Sequence, residues 1–354
     1  MNTDPDQQQA MSSAIVVGLA LREDDSAPLA LARLLADRSG APLTLACACP
    51  HEVPAPLPPP HYANALLDQT ANALEAIANT LPGGQATKTH AAFGPRAGVL
   101  HALAEELGAS AIVVGSTHHG DAGRVMMGDV AAGLLHGSTC PVVVAPRGYT
   151  GAELHRIGVA FDGSPESHAA LSAAAGLAAR TGGTIHCYTV LEPMELTPGY
   201  TTPGWVASPA YEERRLELAQ DAANLALETK PAGTVTTSEV LHGPIVATLA
   251  QASEALDVLV CGSRGYGALR SVLAGSVSRG LAHRAACALV VIPRRASVRL
   301  ASPWQPPQRR RDRLSDSPAP AALSLDDRHP ERREVRAQVP SDDLVSGGDV
   351  GGTR

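Results

Sequence analysis

The sequence predicts two tandem α/β domains, each an open parallel sheet of five strands with helices on both faces. Three observations carry this expectation: the chain repeats itself, each copy alternates strand-like apolar runs with helical segments, and the composition suits more than one buried core. The 354 residues are 44% apolar and 18% charged, and a chain of this length favours two domains.

The repeat is visible at a single offset. "AIVVGSTHHGDAGRVMMGDVAAGLLHGSTCPVVVAPR" (111–147) lies over "VLVCGSRGYGALRSVLAGSVSRGLAHRAACALVVIPR" (258–294), so that Gly115 falls on Gly262, Gly128 on Gly275, Cys140 on Cys287 and Pro146 on Pro293. Upstream, "FGPRAGVLHALAEEL" faces "HGPIVATLAQASEAL". The domains are expected at residues 13–148 and 154–295, between a flexible start (1–12) and a tail (296–354) rich in Pro, Arg, Asp and Ser that reads as disordered.

The second half shows the element order best. "RIGVAF" alternates as a strand, "SPESHAALSAAAGLAARTG" has helical period with a glycine stop, and "TIHCYTVL" is a strand again. A Pro/Gly/Thr-rich loop (192–209) leads to the helix "AYEERRLELAQDAANLALETK", the strand "TVTTSEVL", the helix "GPIVATLAQASEAL", the strand "DVLVCGS", a glycine loop with a helix, and the last strand "CALVVIP". Strands alternating with helices make a parallel sheet covered on both faces, with ligands beyond the carboxyl ends of its strands near a topological switch point.

A formal net charge of −7 leaves no basic field for nucleic acid or anionic lipid, and 3% aromatic residues make stacking platforms for single strands hard to build. The polar start and the lack of a long apolar run predict no membrane partner and a cytoplasmic protein. The six cysteines lie mostly in apolar runs without zinc spacing and read as reduced core residues.

The stretch "GSRGYGALRSVLAGS" (262–276) raises the question of function. It lacks the lysine of a P-loop and is not a G-x-G-x-x-G run. Its spacing is Gly262, two residues, Gly265, nine residues, then Gly275 and Ser276. Gly262 ends a strand without a Cβ to hold a ligand off, Gly265 can adopt positive φ, and Gly275 with Ser276 opens a helix whose free N–H groups and dipole favour phosphate. A polyphosphate would be clasped from both ends.

With this spacing, in this position of an α/β repeat and with Asp162 in "VAFDGSPES", the chain resembles the ATP-binding universal stress proteins as a tandem pair over residues 13–295. The resemblance implies a Rossmann-like, adenine nucleotide alpha hydrolase-like fold and ATP, with or without Mg2+, bound in the second half. It places Asp162 on the adenosine side, Ala160 and Val190 beside the base, and Gly262, Gly265, Gly275, Ser276 and Val277 on the phosphates. Arg264, inside the loop, is equally a charge for the phosphates and a solvated arginine.

The first half departs from the pattern. Arg22 is expected where Asp162 stands, His118 where Gly265 stands and Asp129 where Ser276 stands, which predicts a half self-capped and closed to phosphate. "THHGD" offers too few converging ligands for a metal, so no metal site is assigned. No nucleophile and base pair up anywhere, so no catalytic residue is assigned either. The function read from the residues and the resemblance is a nucleotide-responsive regulatory or stress-survival protein with an adenine nucleotide and an unidentified protein as partners. The alternative is a slow ATPase or an autophosphorylating phosphotransfer protein; a purely structural protein is a third reading that suits the first half. The closing strands "CPVVVAP" (140–146) and "CALVVIP" (287–293) would sit at sheet edges, and the resemblance implies that they pair antiparallel within the chain, leaving homodimerisation to another surface.

Overall fold

The computed structural model describes residues 13–22, 25–49, 60–81, 87–117, 123–151, 153–192, 209–228, 234–263 and 275–294. The expected flexible start (1–12) and tail (296–354), His118, Arg264 and Gly265, and most of the expected 192–209 loop lie outside these residues. The first half contains β1 (Ile15–Gly18), α1 (Ser26–Ser39), β2 (Leu43–Cys49), α2 (Pro60–Thr80), β3 (Thr87–Phe93), α3 (Arg96–Glu106), β4 (Ala111–Gly115), α4 (Asp129–Leu135) and β5 (Val142–Ala145). The second half follows the same order with β6 (Arg156–Ala160), α5 (Pro165–Thr181), β7 (Thr184–Leu191), α6 (Pro209–Glu228), β8 (Thr236–His242), α7 (Ile245–Ala252), β9 (Val258–Gly262), α8 (Ser276–Leu281) and β10 (Ala288–Ile292).

All ten strands join one sheet in the order β3-β2-β1-β4-β5-β10-β9-β6-β7-β8. Within each half every pairing is parallel, as βαβ crossovers require. The seam between the halves is the antiparallel pair of β5 and β10, with Leu289 opposite Val144, Val290 opposite Val143 and Val291 opposite Val142. Two open sheets thus become one, and the edges that would template association satisfy each other inside the chain.

Strand alternation sends side chains to two cores, one per face. Val17, Val143, Val159 and Val290 join α1 and α5 on one face. Val16, Val144, Leu259 and Val291 join α3, α4, α7 and α8 on the other. Each core therefore crosses the seam, so docking the halves is part of forming the cores.

The local signals explain the helices. α5 begins at Ser164, whose hydroxyl accepts from the Ser167 N–H at 3.1 Å ahead of Pro165 in the first turn, and stops at Gly182 with φ +69°. α1 also stops at a left-handed glycine, Gly40, but its N-cap Asp25 does not cap: the carboxylate turns back to accept from the N–H groups of Ala20 and Arg22, each at 3.1 Å.

Asp257 pins the opposite end of the second sheet. Its carboxylate accepts from the backbone N–H groups of His155 at 2.9 Å and Arg156 at 2.8 Å, and from the Arg156 guanidinium at 2.8 Å. Partial burial works to raise the Asp257 carboxyl, but the bonds from Arg156 and His155 outweigh it and hold the group below its ordinary value. A lowered carboxyl contributes stability that is present above about pH 4 and lost as pH falls through the folded value. Asp257→Asn is expected to cost about 1 kcal/mol at neutral pH, after discounting for the half-exposed arginine, and to flatten the acid limb of urea stability between about pH 5 and 2. An unchanged acid limb would remove Asp257 from that role.

Candidate functional site

Both halves present a cavity at the carboxyl ends of their strands, where β1 meets β4 and β6 meets β9. These are the points where the strand order reverses. In the second half Ala160 ends β6 and Asp162 follows it, Val190 and Tyr188 come from β7, Ile245 and Leu249 from α7, Cys261 and Gly262 from β9, and Val277 from α8. The described residues enclose about 90 Å³ there. That is less than a whole ligand pocket holds, and residues 264–274 lie outside the described residues.

Of the residues singled out from the sequence, Ala160, Asp162, Val190, Gly262 and Val277 converge on this cavity. Gly275 and Ser276 begin α8 next to it without lining it. The start of α8 is held on β9: the Gly275 N–H donates to the Ser263 carbonyl at 2.5 Å, and the buried Ser278 hydroxyl donates to the carbonyls of Ser263 at 3.2 Å and Gly275 at 3.1 Å. Asp162 is exposed at the rim. Its Oδ1 accepts from the Ser164 N–H at 3.0 Å across Gly163, whose φ is +76°, and its other oxygen has no partner among the described residues.

Gly262 has a different reason from the one its sequence position implies. A Cβ there would come within 2.7 Å of the Glu166 Cβ and 2.9 Å of its backbone, so the missing side chain lets the first turn of α5 pack on β9. It lines the cavity, but its smallness serves the helix. Gly262→Ala is expected to destabilise the protein by about 1–3 kcal/mol, because the colliding atoms are backbone and cannot swing away. Urea melts that match the wild type would show that α5 yields.

Sequence reasoning missed Phe161, Ser164, Ser167, Tyr188, Ile245, Leu249 and Cys261 in the wall. Some were within reach of simple periodicity. Tyr188 is two residues before Val190 on the same strand face, and Leu249 is one helical turn after Ile245. All six cysteines are free and buried, and burial pushes Cys187, Cys261 and Cys287 up to about 12. Cys261 is therefore an apolar wall element here and not a thiolate. Among the described residues no three His, Cys, Asp or Glu side chains group as a metal site, and "THHGD" lies largely outside them.

The strand register corrects one alignment in the first half. Ile15 pairs with Ala111 as Ile157 pairs with Val258, and the Leu19 N–H donates to Ala46 as Phe161 does to Tyr188. Ala20, not Arg22, therefore occupies the place of Asp162, and Arg22 that of Ser164. The backbone agrees, since Leu21 has φ +56° where Gly163 has +76°. A leucine there costs about 1–2 kcal/mol, offset by the Asp25 carboxylate bonding the flanking N–H groups. Arg22 falls opposite Asp162 in the bare sequence because the turn carries no motif of its own.

The first half, read from the sequence as closed to phosphate, nevertheless contains a cavity. Its cavity measures about 340 Å³, lined among others by Gly18, Arg22, Ala46, Ala48, Arg96, Thr117 and Asp129. Asp129 stands in the first turn of α4, as expected, directly after the N-cap Gly128. Smaller floor residues leave this space: Gly18, Ala46 and Ala48 replace Ala160, Tyr188 and Val190.

Fold and cavities together define a tandem α/β protein with a switch-point site in each half. The Universal stress protein family model matches residues 11–146 and again 153–293. The chain belongs to the universal stress protein family. It is 35% identical over 156 residues to the universal stress protein Rv1996 of Mycobacterium tuberculosis, covering 38% of this chain and 47% of that protein. It is 31% identical over 189 residues to the universal stress protein Rv2005c of the same organism, covering 52% of this chain and 61% of that protein. The chain thus spans about half the length of the first of these relatives. A universal stress protein structure from Archaeoglobus fulgidus superposes with a TM-score of 0.54 at 21% identity, over 80% of this chain and 97% of that one, and shares the fold. Among the described residues no helix is long and apolar enough to cross a membrane.

Proposed function

We propose that the second half binds ATP and that occupancy alters the protein's contacts with a protein partner, as a stress-responsive regulator. The observation that carries this reading is the convergence, at one switch point, of Asp162 at the rim and Ala160, Tyr188, Val190 and Ile245 in an apolar wall, beside a helix opened by Gly275 and Ser276. An adenine ring needs an apolar slot, a ribose hydroxyl needs an acceptor, and phosphates favour free N–H groups with a hydroxyl donor. The free oxygen of Asp162 suits the ribose, and the wall from Tyr188 to Ile245 suits the base.

Arg264 and Gly265 complete the phosphate clasp in this proposal, with Mg2+ as an accompanying ion where the phosphates bring one. A ligand shifts conformation only through its different affinity for two states. The contact able to transmit that difference runs along α8: Ala285, just past its end, accepts from the Val125 N–H of the first half at 2.7 Å, next to the Arg124–Glu254 ion pair at 3.0 Å.

Mass spectrometry of small molecules released from the purified, denatured protein tests the ligand. ATP or ADP at about one per chain supports the reading; protein that carries none and shows no calorimetric response to added ATP overturns it. The same preparation, incubated with ATP, decides between binding and phosphotransfer through the appearance of phosphate on Ser276.

A further inference from the structure

We propose that the first-half cavity is a second, chemically different site, which takes a small organic carboxylate with an apolar body and not a nucleotide. The space is about 340 Å³ and within the range of small-molecule pockets. The nucleotide-directed features of the other half are replaced here one by one. Ala20 stands in place of Asp162, and the carboxylate nearest to it, Asp25, is taken up by the N–H groups of Ala20 and Arg22. Asp129 stands in place of Ser276, so a negative charge sits where polyphosphate would lie. The wall residue Ile245 becomes Arg96 by the register of the third strands, and Arg22 lies in the turn after β1 that leads to α1.

The charges at the rim decide the ligand. Arg22, Arg96, Asp25 and Asp129 all line the cavity. Asp25 is engaged by the N–H groups of Ala20 and Arg22 at 3.1 Å, and Asp129 lies in the first turn of α4, where the helix dipole favours it. The two guanidinium groups form no ion pair among the described residues, so their N–H donors are available to a ligand at the mouth. Guanidinium recognises a carboxylate through a planar pair of charge-assisted hydrogen bonds. Below them the floor is Gly18, Ala46 and Ala48, and the wall holds the Thr117 hydroxyl, a buried group with no hydrogen-bond partner. A carboxylate at the rim with its apolar body on that floor matches the arrangement, and a donor or acceptor on the body would satisfy Thr117.

The proposal does not depend on ATP in the second half, and the experiment keeps the two apart. The full chain, with and without saturating ATP, is titrated calorimetrically with 1-naphthoate and octanoate, and with the neutral 1-naphthamide as control. The expected result is one saturable carboxylate site per chain that ATP leaves unchanged, with affinity about tenfold lower for the amide and about tenfold lower in Arg96→Ile, the size of one lost charge-assisted hydrogen bond. Ala46→Tyr, which restores the second half's residue and fills the floor, should abolish binding. Absence of saturable binding by either carboxylate, equal binding of the amide, displacement by ATP, or full affinity in both Arg96→Ile and Ala46→Tyr would each overturn the proposal. Arg96 is exposed, so its replacement leaves the fold available for the test.

Discussion

Val290→Asp is expected to lower stability by about 3–5 kcal/mol and to break the union of the two halves, because it places an unpaired carboxylate in the middle of the antiparallel seam between them. Val290 is 5% exposed and faces Val143, which is 1% exposed. The residue belongs to the core that α1 and α5 share, so the charge has neither water nor a partner at hand. A loss of that size is a large fraction of the total of about 5–15 kcal/mol that holds a typical domain together. Urea denaturation should show the midpoint falling sharply, and small-angle scattering in mild urea should show an enlarged particle. Val290→Ile, which keeps the apolar seam, should stay near the wild type. A wild-type chain that scattered as two bodies on a tether would instead move the pairing to edges exchanged between chains.

Asp162→Ala is expected to weaken ATP binding about 10- to 100-fold, the equivalent of one charge-assisted hydrogen bond of about 1.5–3 kcal/mol. The side chain is exposed, and its one described bond, to the Ser164 N–H, is local, so the melting curve should move little. Wild-type calorimetry should give one ATP per chain. Ala20→Asp, which supplies the first half with the missing carboxylate at the correct register, should leave the stoichiometry at one because Arg96 and Asp129 remain. Two equivalent sites in the wild type, or an unchanged dissociation constant in Asp162→Ala, would remove these assignments.

How much of this was legible in the chain can be argued from particular residues. The alternation of "RIGVAF" and "TIHCYTVL" and the helical period of "SPESHAALSAAAGLAARTG" encode their own secondary structure, since burial on one face imposes a period of two or of 3.6. A repeat of such units can bury its faces only as two α/β halves. The closing runs that became β5 and β10 also announced an edge in need of a partner. The glycine spacing and Asp162 pointed to one end of one sheet, and five of the residues named there do line a common cavity.

What the chain concealed depends on contacts between distant segments. Gly262 looked like a ligand's glycine, and only the packing of α5 shows that Glu166 claims the space. Arg22 looked like the counterpart of Asp162 until strand hydrogen bonds set the register, because a turn without a motif can slide by two residues in an alignment but not in a sheet. The first half reads as closed to phosphate because its motif residues are charged or bulky, and that says nothing of its volume. The volume of a cavity, however, is set by the floor, and Ala46 and Ala48 open it from a strand far away in sequence. Local periodicity is written in neighbouring residues, so the sequence by itself determined the elements, their order and two edge strands in need of a partner. Space and register arise where segments remote in sequence meet, so only the tertiary structure decided which glycine serves packing, which residue replaces the aspartate, and that the first half contains a cavity.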